Sequence, residues 1–145
     1  MRRFLYDTNV FVYALGAEHR YQAPCAAVIT RAQRGELRGE ASVDLVQEFL
    51  HHRQRQSRDR SDAARYASEV AALCRLHELR PDDVPLALSL FERHAVLSPR
   101  DAFFAAVALN RGIDAILTAD RDFESVPDLE RVDPIDRAGV DALAG

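Results

Sequence analysis

Apolar and polar positions along this chain form short β-like runs that alternate with longer helical patterns, an order typical of α/β folds. Residues 3–7 predict a buried first strand. A helical stretch is predicted directly after it from the apolar positions Val10, Tyr13 and Ala14. A second helix is expected to begin at Pro24, a favoured first-turn residue, and to stop at Gly35.

The middle of the chain predicts a second strand and three helices. Ala41–Ser42 ends the strand, and Ser42 can cap the helix that follows. The apolar face expected for that helix consists of Val43, Val46, Phe49 and Leu50. A longer helix is predicted from about Ser61 to His77 on the apolar positions Tyr66, Val70, Leu73 and Leu76, and another from about Asp82 to His94. Leu79–Arg80 between these two helices is interpreted as a minimal strand.

The last third of the chain contains a strong helix start. Ser98-Pro99-Arg100-Asp101 combines an N-cap residue, a first-turn Pro and an acid three residues past the cap, and Gly112 ends the helix. Strands are predicted at Ala115–Thr118 and Leu129–Val132, whereas Pro134–Gly145 has too little pattern for an assignment. Strands connected by helices in this way run parallel, so their carboxyl ends open at one edge of the sheet.

The composition is that of an ordinary globular protein. A length of 145 residues predicts a single domain, residues 1–145, and 48% hydrophobic with 29% charged residues gives no sign of disorder. No apolar run approaches the roughly 18 residues of a membrane span, and no signal-peptide pattern follows Met1, so a cytoplasmic protein is expected. Cys25 and Cys74 are too far apart for a CxxC site and are expected to be thiols.

The charge distribution is more informative than the net charge of −4, which by itself argues against a nucleic-acid partner. All 19 basic residues are Arg, and the segment after Glu48 carries four of them against one acid. These four are Arg53, Arg55, Arg58 and Arg60. They form either a solvated helix end and loop or an RNA-contacting rim, since Arg binds phosphate in a planar, bidentate manner.

Four carboxylates occupy positions at which the fold can bring them together. Asp7 and Asp120 each follow a predicted strand, Glu48 lies beside the apolar face of a helix, and Asp101 opens another helix. Each has an ordinary explanation: Asp7 and Asp120 as turn residues, and Asp101 as part of a capping box. Glu48 is harder to explain in that way, because a Glu beside an apolar face must be paired, protonated or bound to something.

One arrangement accounts for all four acids. Mg²⁺ and Mn²⁺ prefer carboxylate oxygens and water, and two such ions about 3.5 to 4 Å apart can flank the attacking and leaving oxygens of a phosphodiester. The water bound to one ion then supplies the nucleophile, so no side-chain nucleophile is needed. The chain indeed has no GxSxG motif, no Cys/His signature and no P-loop.

The motifs around these acids carry a resemblance to a known family. They are Leu5-Tyr6-Asp7-Thr8-Asn9-Val10, the segment Ser42 to Glu48, Ser98-Pro99-Arg100-Asp101-Ala102, and Leu117-Thr118-Ala119-Asp120-Arg121-Asp122-Phe123. In that order and spacing the chain resembles PIN-domain proteins, and among them the VapC-type ribonuclease toxins. The resemblance implies a three-layer α/β/α fold around a short parallel sheet and RNA cleavage that depends on Mg²⁺ or Mn²⁺. It also implies a homodimer and an antitoxin partner, in a heterotetramer or larger assembly.

The resemblance also implies roles for individual residues. The family's catalytic and metal-binding acids correspond to Asp7, Glu48, Asp101 and Asp120. Asn9 and Thr118 correspond to polar positions that orient the first and last acids. Asp122 corresponds to a fifth acid of some relatives and is ranked below the four, since a second acid two residues after Asp120 would often point away.

Three alternative functions differ from a ribonuclease in residues that the sequence shows directly. A haloacid-dehalogenase-type phosphatase would need a second Asp where this chain has Asn9, and both it and a receiver domain would need a Lys, which the chain lacks. A catalytically inactive PIN-like module that binds RNA or protein is the remaining alternative. It predicts loss of some of the four acids, and all four are intact.

Overall fold

A computed structural model describes residues 1–145 and contains one five-stranded parallel sheet in the order β3-β2-β1-β4-β5. The strands are β1 (Leu5–Tyr6), β2 (Glu40–Ser42), β3 (Arg75–His77), β4 (Ala115–Leu117) and β5 (Glu130–Val132). The helices are α1 (Thr8–Ala14), α2 (Gln22–Gln33), α3 (Val43–Ser57), α4 (Arg60–Leu73), α5 (Asp83–Arg93), α6 (Pro99–Asn110) and α7 (Arg137–Ala144). A 3₁₀ helix, Arg121–Ser125, follows β4.

The strand order explains the three layers. The chain moves from β1 to β2 to β3 in one direction and then crosses back over β1 to β4 and β5. Right-handed crossovers therefore place α1 to α4 on one face of the sheet and α5 with α6 on the other. The packing agrees, since α1 contacts α2 and α3, α3 contacts α4, and α5 contacts α6. This is the predicted α/β/α sandwich, and its switch of direction lies between β1 and β4.

The core positions the ends of β1 and β4. Both strands are completely buried, as central parallel strands covered on two faces must be. Four alanines of α6 are buried in the core: Ala102, Ala105, Ala106 and Ala108. The first turn of α6 and the carboxyl ends of β1 and β4 are thus tied to a common core of 31 buried residues.

The largest error in the predicted elements concerns the third strand. The helix predicted from Ser61 to His77 ends at Leu73, Arg75–His77 forms β3, and Leu79–Arg80 is not a strand. Leu73 and Leu76 are three residues apart, a spacing that mimics a continuing helix. The β-structure here is set by distant partners instead, because Arg75 N–H donates to the Gly39 carbonyl and β3 pairs with β2.

Smaller differences concern side-chain faces and the tail. On α3 the buried residues are Leu45 and Phe49, whereas Val43 and Leu50 of the predicted face are exposed. The tail that lacked an assignment forms α7, which buries Val140 and Leu143. The end of α2 agrees with expectation, since Gly35 has a φ of +75°, the left-handed region in which glycine is favoured.

None of the helices combines the length and the hydropathy needed to cross a membrane. Cys25 and Cys74 are free thiols, as predicted, and burial raises the pKa of each to about 12. Neither cysteine is therefore a candidate nucleophile at neutral pH.

Candidate active site

Asp7 lies at the switch point of the sheet, directly after β1, with 7% of its surface exposed. Its backbone N–H donates to the Leu117 carbonyl at the end of β4, 3.1 Å away. Thr118 Oγ1 donates to Asp7 Oδ2 at 2.7 Å, and Asn9 Nδ2 donates to the same oxygen at 3.1 Å. Both bonds fall on Oδ2, so they fix the carboxylate in one orientation.

Asn9 and Thr118 also connect Asp7 to the loop after β4. Asn9 Nδ2 donates to Thr118 Oγ1 at 3.1 Å, and Asn9 Oδ1 accepts from the Ala119 N–H at 3.3 Å. Thr118 Oγ1 further accepts from the Asp120 N–H at 3.0 Å. Because this hydroxyl already accepts twice, its single proton is directed to Asp7. Asn9 and Thr118 therefore link the carboxylate of Asp7, the first acid, to the backbone of Asp120, the last acid.

Asp101, Asp120 and Asp122 form the closest acidic group of the structure. Each offers one carboxylate oxygen, and these oxygens all lie within 4.8 Å of one another. The expectation that Asp122 points away is therefore wrong. The cap of the 3₁₀ helix accounts for the difference, because Asp120 Oδ1 accepts from the Asp122 N–H at 2.9 Å and the Asp120 carboxylate therefore lies against the first turn, which contains Asp122.

The protonation behaviour of these acids reflects burial and mutual repulsion. Burial, followed by the charges of Asp101 and Glu48, raises the pKa of Asp7 to about 7, although the Thr118 bond acts in the opposite direction. Burial and then Asp120 raise the pKa of Asp101 to about 6. The pKa of Asp122 is also raised, by burial and by Asp120. None of these groups, nor Asp120, forms an ion pair with a cation of the chain, so their negative charges are not neutralised within the protein.

Glu48 differs from the other acids because it has a cationic partner. Arg100 Nη1 lies 2.6 Å from Glu48 Oε1, and Thr8 Oγ1 donates to Glu48 Oε2 at 2.7 Å. Arg100 directly precedes Asp101, and Thr8 directly follows Asp7. Glu48 is thus held at the edge of the acidic group, with Arg100 over its carboxylate, in a polar crevice also lined by Asp44 and His51.

The capping explanation of Asp101 holds for its backbone. Ser98 Oγ accepts from the Asp101 N–H at 3.1 Å, as the sequence predicted for an N-cap. The Asp101 carboxylate nevertheless faces Asp120 and Asp122 and carries a raised pKa. A helix dipole alone would lower that pKa, so repulsion and burial outweigh the favourable position in the first turn.

The Arg segment is divided between α3, α4 and the turn between them. Arg53 and Arg55 lie in the last turns of α3, Arg58 has the left-handed φ of +55°, and Arg60 begins α4. Arg53 Nε contacts Asp62 at 3.2 Å, and its guanidinium lies 4.2 Å from the centre of the Tyr66 ring. Arg53 is therefore committed to contacts within the protein, whereas Arg55, Arg58 and Arg60 have no acidic partner.

Sequence reasoning missed three residues that shape the site. Arg100 and Thr8 stand inside the quoted motifs, next to the acids, and that adjacency was the available signal. Arg131 gave no such signal: its Nη2 donates to the carbonyl of Ala119 and to Asp133, each at 2.9 Å. It supports the backbone just before Asp120 from the neighbouring strand β5, a contact that depends on the tertiary fold.

Comparison with known proteins agrees with this architecture. The PIN domain family model matches residues 4–129. The chain is 36% identical to ribonuclease VapC7 of Mycobacterium tuberculosis over 96% of each protein, and 31% identical to ribonuclease VapC23 of the same species over 82% of this chain and 94% of that protein.

Solved structures show the same fold at lower identity. The sarcin-ricin-loop-cleaving toxin VapC20 of Mycobacterium tuberculosis aligns with a TM-score of 0.69 and 20% identity, covering 85% of this chain and 93% of that one. DNA-bound VapBC from Salmonella typhimurium aligns with a TM-score of 0.68 and 18% identity, covering 92% and 99%. With motifs, fold and relatives in agreement, this chain belongs to the PIN domain family, in the branch of the VapC ribonucleases.

Proposed function

We propose that this chain is a divalent-metal-dependent endoribonuclease that hydrolyses RNA phosphodiester bonds, and that it is the toxin of a toxin–antitoxin pair. The observation that carries the proposal is a group of three converging carboxylates beside a buried fourth, none of them paired with a cation of the chain. Such a group is costly unless an external cation joins it. The ribonuclease names of the related VapC proteins support the choice of RNA as substrate.

The donor set fits Mg²⁺ or Mn²⁺. Asp101, Asp120, Asp122 and Asp7 offer only carboxylate oxygens, the ligands that these hard cations prefer over nitrogen and sulfur donors. Glu48 joins them once Arg100 moves aside. When bound, the ion would supply an activated water and neutralise charge on the phosphate. We assign Asp7, Glu48, Asp101 and Asp120 as the metal-binding acids and include Asp122 with them, because its carboxylate reaches the same group.

The chain's own residues have three tasks in this scheme. Thr118 and Asn9 hold Asp7 so that its second oxygen stays free of their bonds, which preserves a ligand position. Ser98 and the first turn of α6 hold Asp101 at a helix N-terminus, where partial positive charge also favours a phosphate. The loop after β4, fastened by Arg131, positions Asp120 and Asp122. Preorganised ligands of this kind need no rearrangement during the reaction.

The antitoxin and the homodimer belong to the same proposal. Structures that share this fold include a toxin–antitoxin complex from Klebsiella pneumoniae and VapBC assemblies, at 13–18% identity. On this chain, α5 exposes Val84, Leu88 and Phe91 along one helical face. Apolar side chains grouped in this way are typical of surfaces that protein partners cover. A heterotetramer or larger assembly with the antitoxin follows as the expected state.

The test of the activity uses purified protein and total RNA from its host. We expect cleavage in the presence of Mg²⁺ or Mn²⁺ and no cleavage in EDTA. Cleavage should also be lost in the variants Asp7→Asn, Glu48→Gln, Asp101→Asn and Asp120→Asn. Glu92→Gln is a matched control, since Glu92 is an exposed acid of α5 with no partner. Undiminished cleavage in EDTA would reject the metal mechanism.

A second experiment addresses the substrate and the alternative function. Sequencing of RNA ends after brief expression in the host, beside the Asp7→Asn variant, identifies any site that only the parent protein cuts. If the parent produces no new RNA ends but binds RNA or the antitoxin, the chain is an inactive PIN-like module. We favour the nuclease because each acid of the quartet is present, and the effect of the Asp101 and Glu48 charges on the pKa of Asp7 supports their proximity.

A further inference from the structure

Three aromatic rings form a stack at the start of α2. The Tyr13 and His19 rings lie 4.5 Å apart with 18° between their planes, and the Tyr13 and Tyr21 rings lie 5.4 Å apart at 28°. His19 and Tyr21 are also nearly parallel, at 17° and 6.0 Å. The two tyrosines are half-buried against the core, whereas His19 is exposed. The stack therefore has a solvent-facing side formed by His19.

Hydrogen bonds hold the stack in this orientation. The Tyr21 N–H donates to His19 Nδ1 at 3.2 Å, and the Tyr21 hydroxyl donates to Asp133 Oδ2 at 3.0 Å. Core packing of the two tyrosines explains their presence. It does not explain why an exposed imidazole is fixed parallel to them. A rigid aromatic surface that is ordered before a ligand arrives binds that ligand at a lower entropic cost.

Hydrogen bonds connect the stack to the loop that carries Asp120. The Asp133 oxygen that accepts from Tyr21 also accepts from Arg131 Nη2, and the same nitrogen donates to the carbonyl of Ala119, next to Asp120. Three successive contacts of 3.0, 2.9 and 2.9 Å thus join Tyr21 to the acidic loop. From the other side, Tyr13 lies six residues after Asp7, about 9 Å along the axis of α1.

A cation accompanies the rings. The Arg20 guanidinium carbon lies 5.3 Å from the centre of the Tyr21 ring, and the side chain is exposed with no acidic partner. An aromatic surface with an adjacent free cation is the combination that binds single-stranded nucleic acid, by stacking on a base and by contact with the backbone. The acids themselves repel RNA, and a free cation such as Arg20 offsets that repulsion.

We propose that His19 and Arg20, supported by Tyr13 and Tyr21, form a subsite that stacks one unpaired base of the RNA strand whose phosphodiester lies at the acids. The inference rests on the proposed ribonuclease function, because it takes RNA as the ligand. The subsite accepts any unpaired base, since every base offers a π-face. Arg20 contacts the neighbouring phosphate, so its contribution depends on salt and not on the base.

The experiment measures binding in EDTA, where the proposed nuclease does not cut. The probes are a short oligouridine and the same strand with one abasic nucleotide moved in turn through every position. The parent protein is expected to lose about fivefold or more in affinity when the abasic nucleotide occupies one particular position. His19→Ala should lose the same factor for the intact strand and show no dependence on the abasic position. His19→Phe should restore the parent behaviour.

Two comparisons separate stacking from charge and from misfolding. Arg20→Gln should weaken intact and abasic strands by the same factor and flatten the salt dependence of binding. Val96→Ala, an exposed apolar residue between α5 and α6 that belongs to none of the proposed surfaces, is the control and should bind like the parent. Circular dichroism and the melting temperature of His19→Ala are expected to match the parent, because the imidazole is exposed.

Several results would overturn the subsite. One is equal affinity of the parent for intact and abasic strands at all positions. Another is parent-like RNA binding by His19→Ala, including the case in which the variant loses affinity for the antitoxin only. Failure of the nuclease proposal would give a different result. The affinity for abasic strands in EDTA would still depend on the abasic position, but no RNA would be cut with Mg²⁺ or Mn²⁺.

Discussion

Buried acids lie at both the amino-terminal and the carboxyl-terminal edges of the parallel sheet. They differ in whether a cation of the chain pairs with them. Glu40, the first residue of β2, is 4% exposed and receives two hydrogen bonds from Arg3, at 2.8 and 2.9 Å, and one contact from His77 at 2.7 Å. The Arg3 bonds lower the pKa of Glu40 despite its burial. Asp7, after the end of β1, has similar burial, no cation, and a pKa raised to about 7.

Asp83 extends the comparison to a third buried acid. It is 1% exposed, and burial alone would raise its pKa, but bonds from Arg111, Asn110 and the Arg80 backbone lower it to about 2. An acid with its own arginine contributes to the stability of the fold. A buried acid without an arginine destabilises the metal-free protein but favours the binding of a cation. This combination is typical of functional residues.

The largest expected effect is on the internally paired acids. Arg111→Ala leaves Asp83 buried without its cation, and breaking such a pair by removing one partner typically costs about 3–5 kcal/mol of unfolding free energy. Urea denaturation in EDTA measures it. Arg93→Ala, an exposed arginine near the end of α5 that forms no ion pair, should cost far less. A loss below about 1 kcal/mol for Arg111→Ala would mean that Asp83 is solvated or protonated and that the contrast with Asp7 fails.

Removal of an unpaired acid is expected to show the reverse pattern. Asp101→Asn should reduce RNA cleavage by about 100-fold or more, while the metal-free protein keeps or gains stability because repulsion with Asp120 and Asp122 is relieved. Added Mn²⁺ should raise the melting temperature of the parent and raise that of the variant much less. Loss of metal-free stability with an intact Mn²⁺ response would instead identify Asp101 as a helix cap alone.

The pH dependence of stability should differ between the two kinds of acid. A raised pKa means that folded Asp7 holds its proton more tightly than the unfolded chain does, so metal-free stability should fall as pH rises from about 4 to about 7. The lowered pKa values of Glu40 and Asp83 act below that range, where stability is lost as pH falls.

Asp7→Asn tests this assignment. With each pKa unit equivalent to about 1.4 kcal/mol, the variant should reduce the decline between pH 4 and 7 by at least about 1 kcal/mol and leave the acid limb unchanged. Denaturation in EDTA at a series of pH values measures both limbs. An unchanged decline would assign it to other groups, with Asp101 the first to examine because its pKa is raised to about 6.

Glu48 is intermediate between the acids paired with an arginine and the acids without a cation. Replacement of its partner Arg100 tests whether this pairing limits metal binding. The pair is partly exposed, with 57% of the Arg100 side chain accessible, so its own contribution to stability is small. Arg100→Gln should leave stability nearly unchanged and tighten Mn²⁺ binding by about threefold to tenfold, because Glu48 is then free. Calorimetric titration measures the affinity. Weaker Mn²⁺ binding would assign Arg100 a supporting role in orienting Glu48.

The sequence predicted those parts of the site that local chemistry determines. Asp7 and Asp101 stand in short motifs at the end of a strand and the start of a helix, where capping rules and the parallel topology predict their positions, whereas Asn9 and Thr118 are implied by the family resemblance. Two features escaped because they depend on partners far along the chain. β3 exists because it pairs with β2, and the Glu40 ion pairs join residues 37 positions apart.

Asp122 shows a different limit. Its side chain was expected to point away from Asp120, whereas Asp120 caps a 3₁₀ helix whose first turn contains Asp122, and the two carboxylates lie close together. Asp120 itself accepts the hydrogen bond that starts this turn, so the signal was present as an Asx-type cap in Asp120-Arg121-Asp122. A cap that is short and polar can thus reverse the direction expected for a side chain two residues on.

The smallest expected effects concern the four arginines after Glu48. Only one of them, Arg53, forms an ion pair within the protein. Arg55, Arg58 and Arg60 have no acidic partner, and their replacement by Gln should weaken binding of different RNA strands by a similar factor and reduce the salt slope by about 0.7 per lost phosphate contact. Unchanged affinity and slope would leave these residues as a solvated helix end.

Arg53 is expected to behave differently, because its guanidinium lies between Asp62 and the face of Tyr66 with only 18% of the side chain exposed. Arg53→Gln should cost about 1 kcal/mol of unfolding free energy, from the lost ring contact and ion pair, and leave the salt dependence of RNA binding unchanged. Urea denaturation and RNA titration on one preparation measure both quantities. A flattened salt slope with parent-like stability would return Arg53 to the RNA-contacting rim and show that its contact with Asp62 opens when RNA binds.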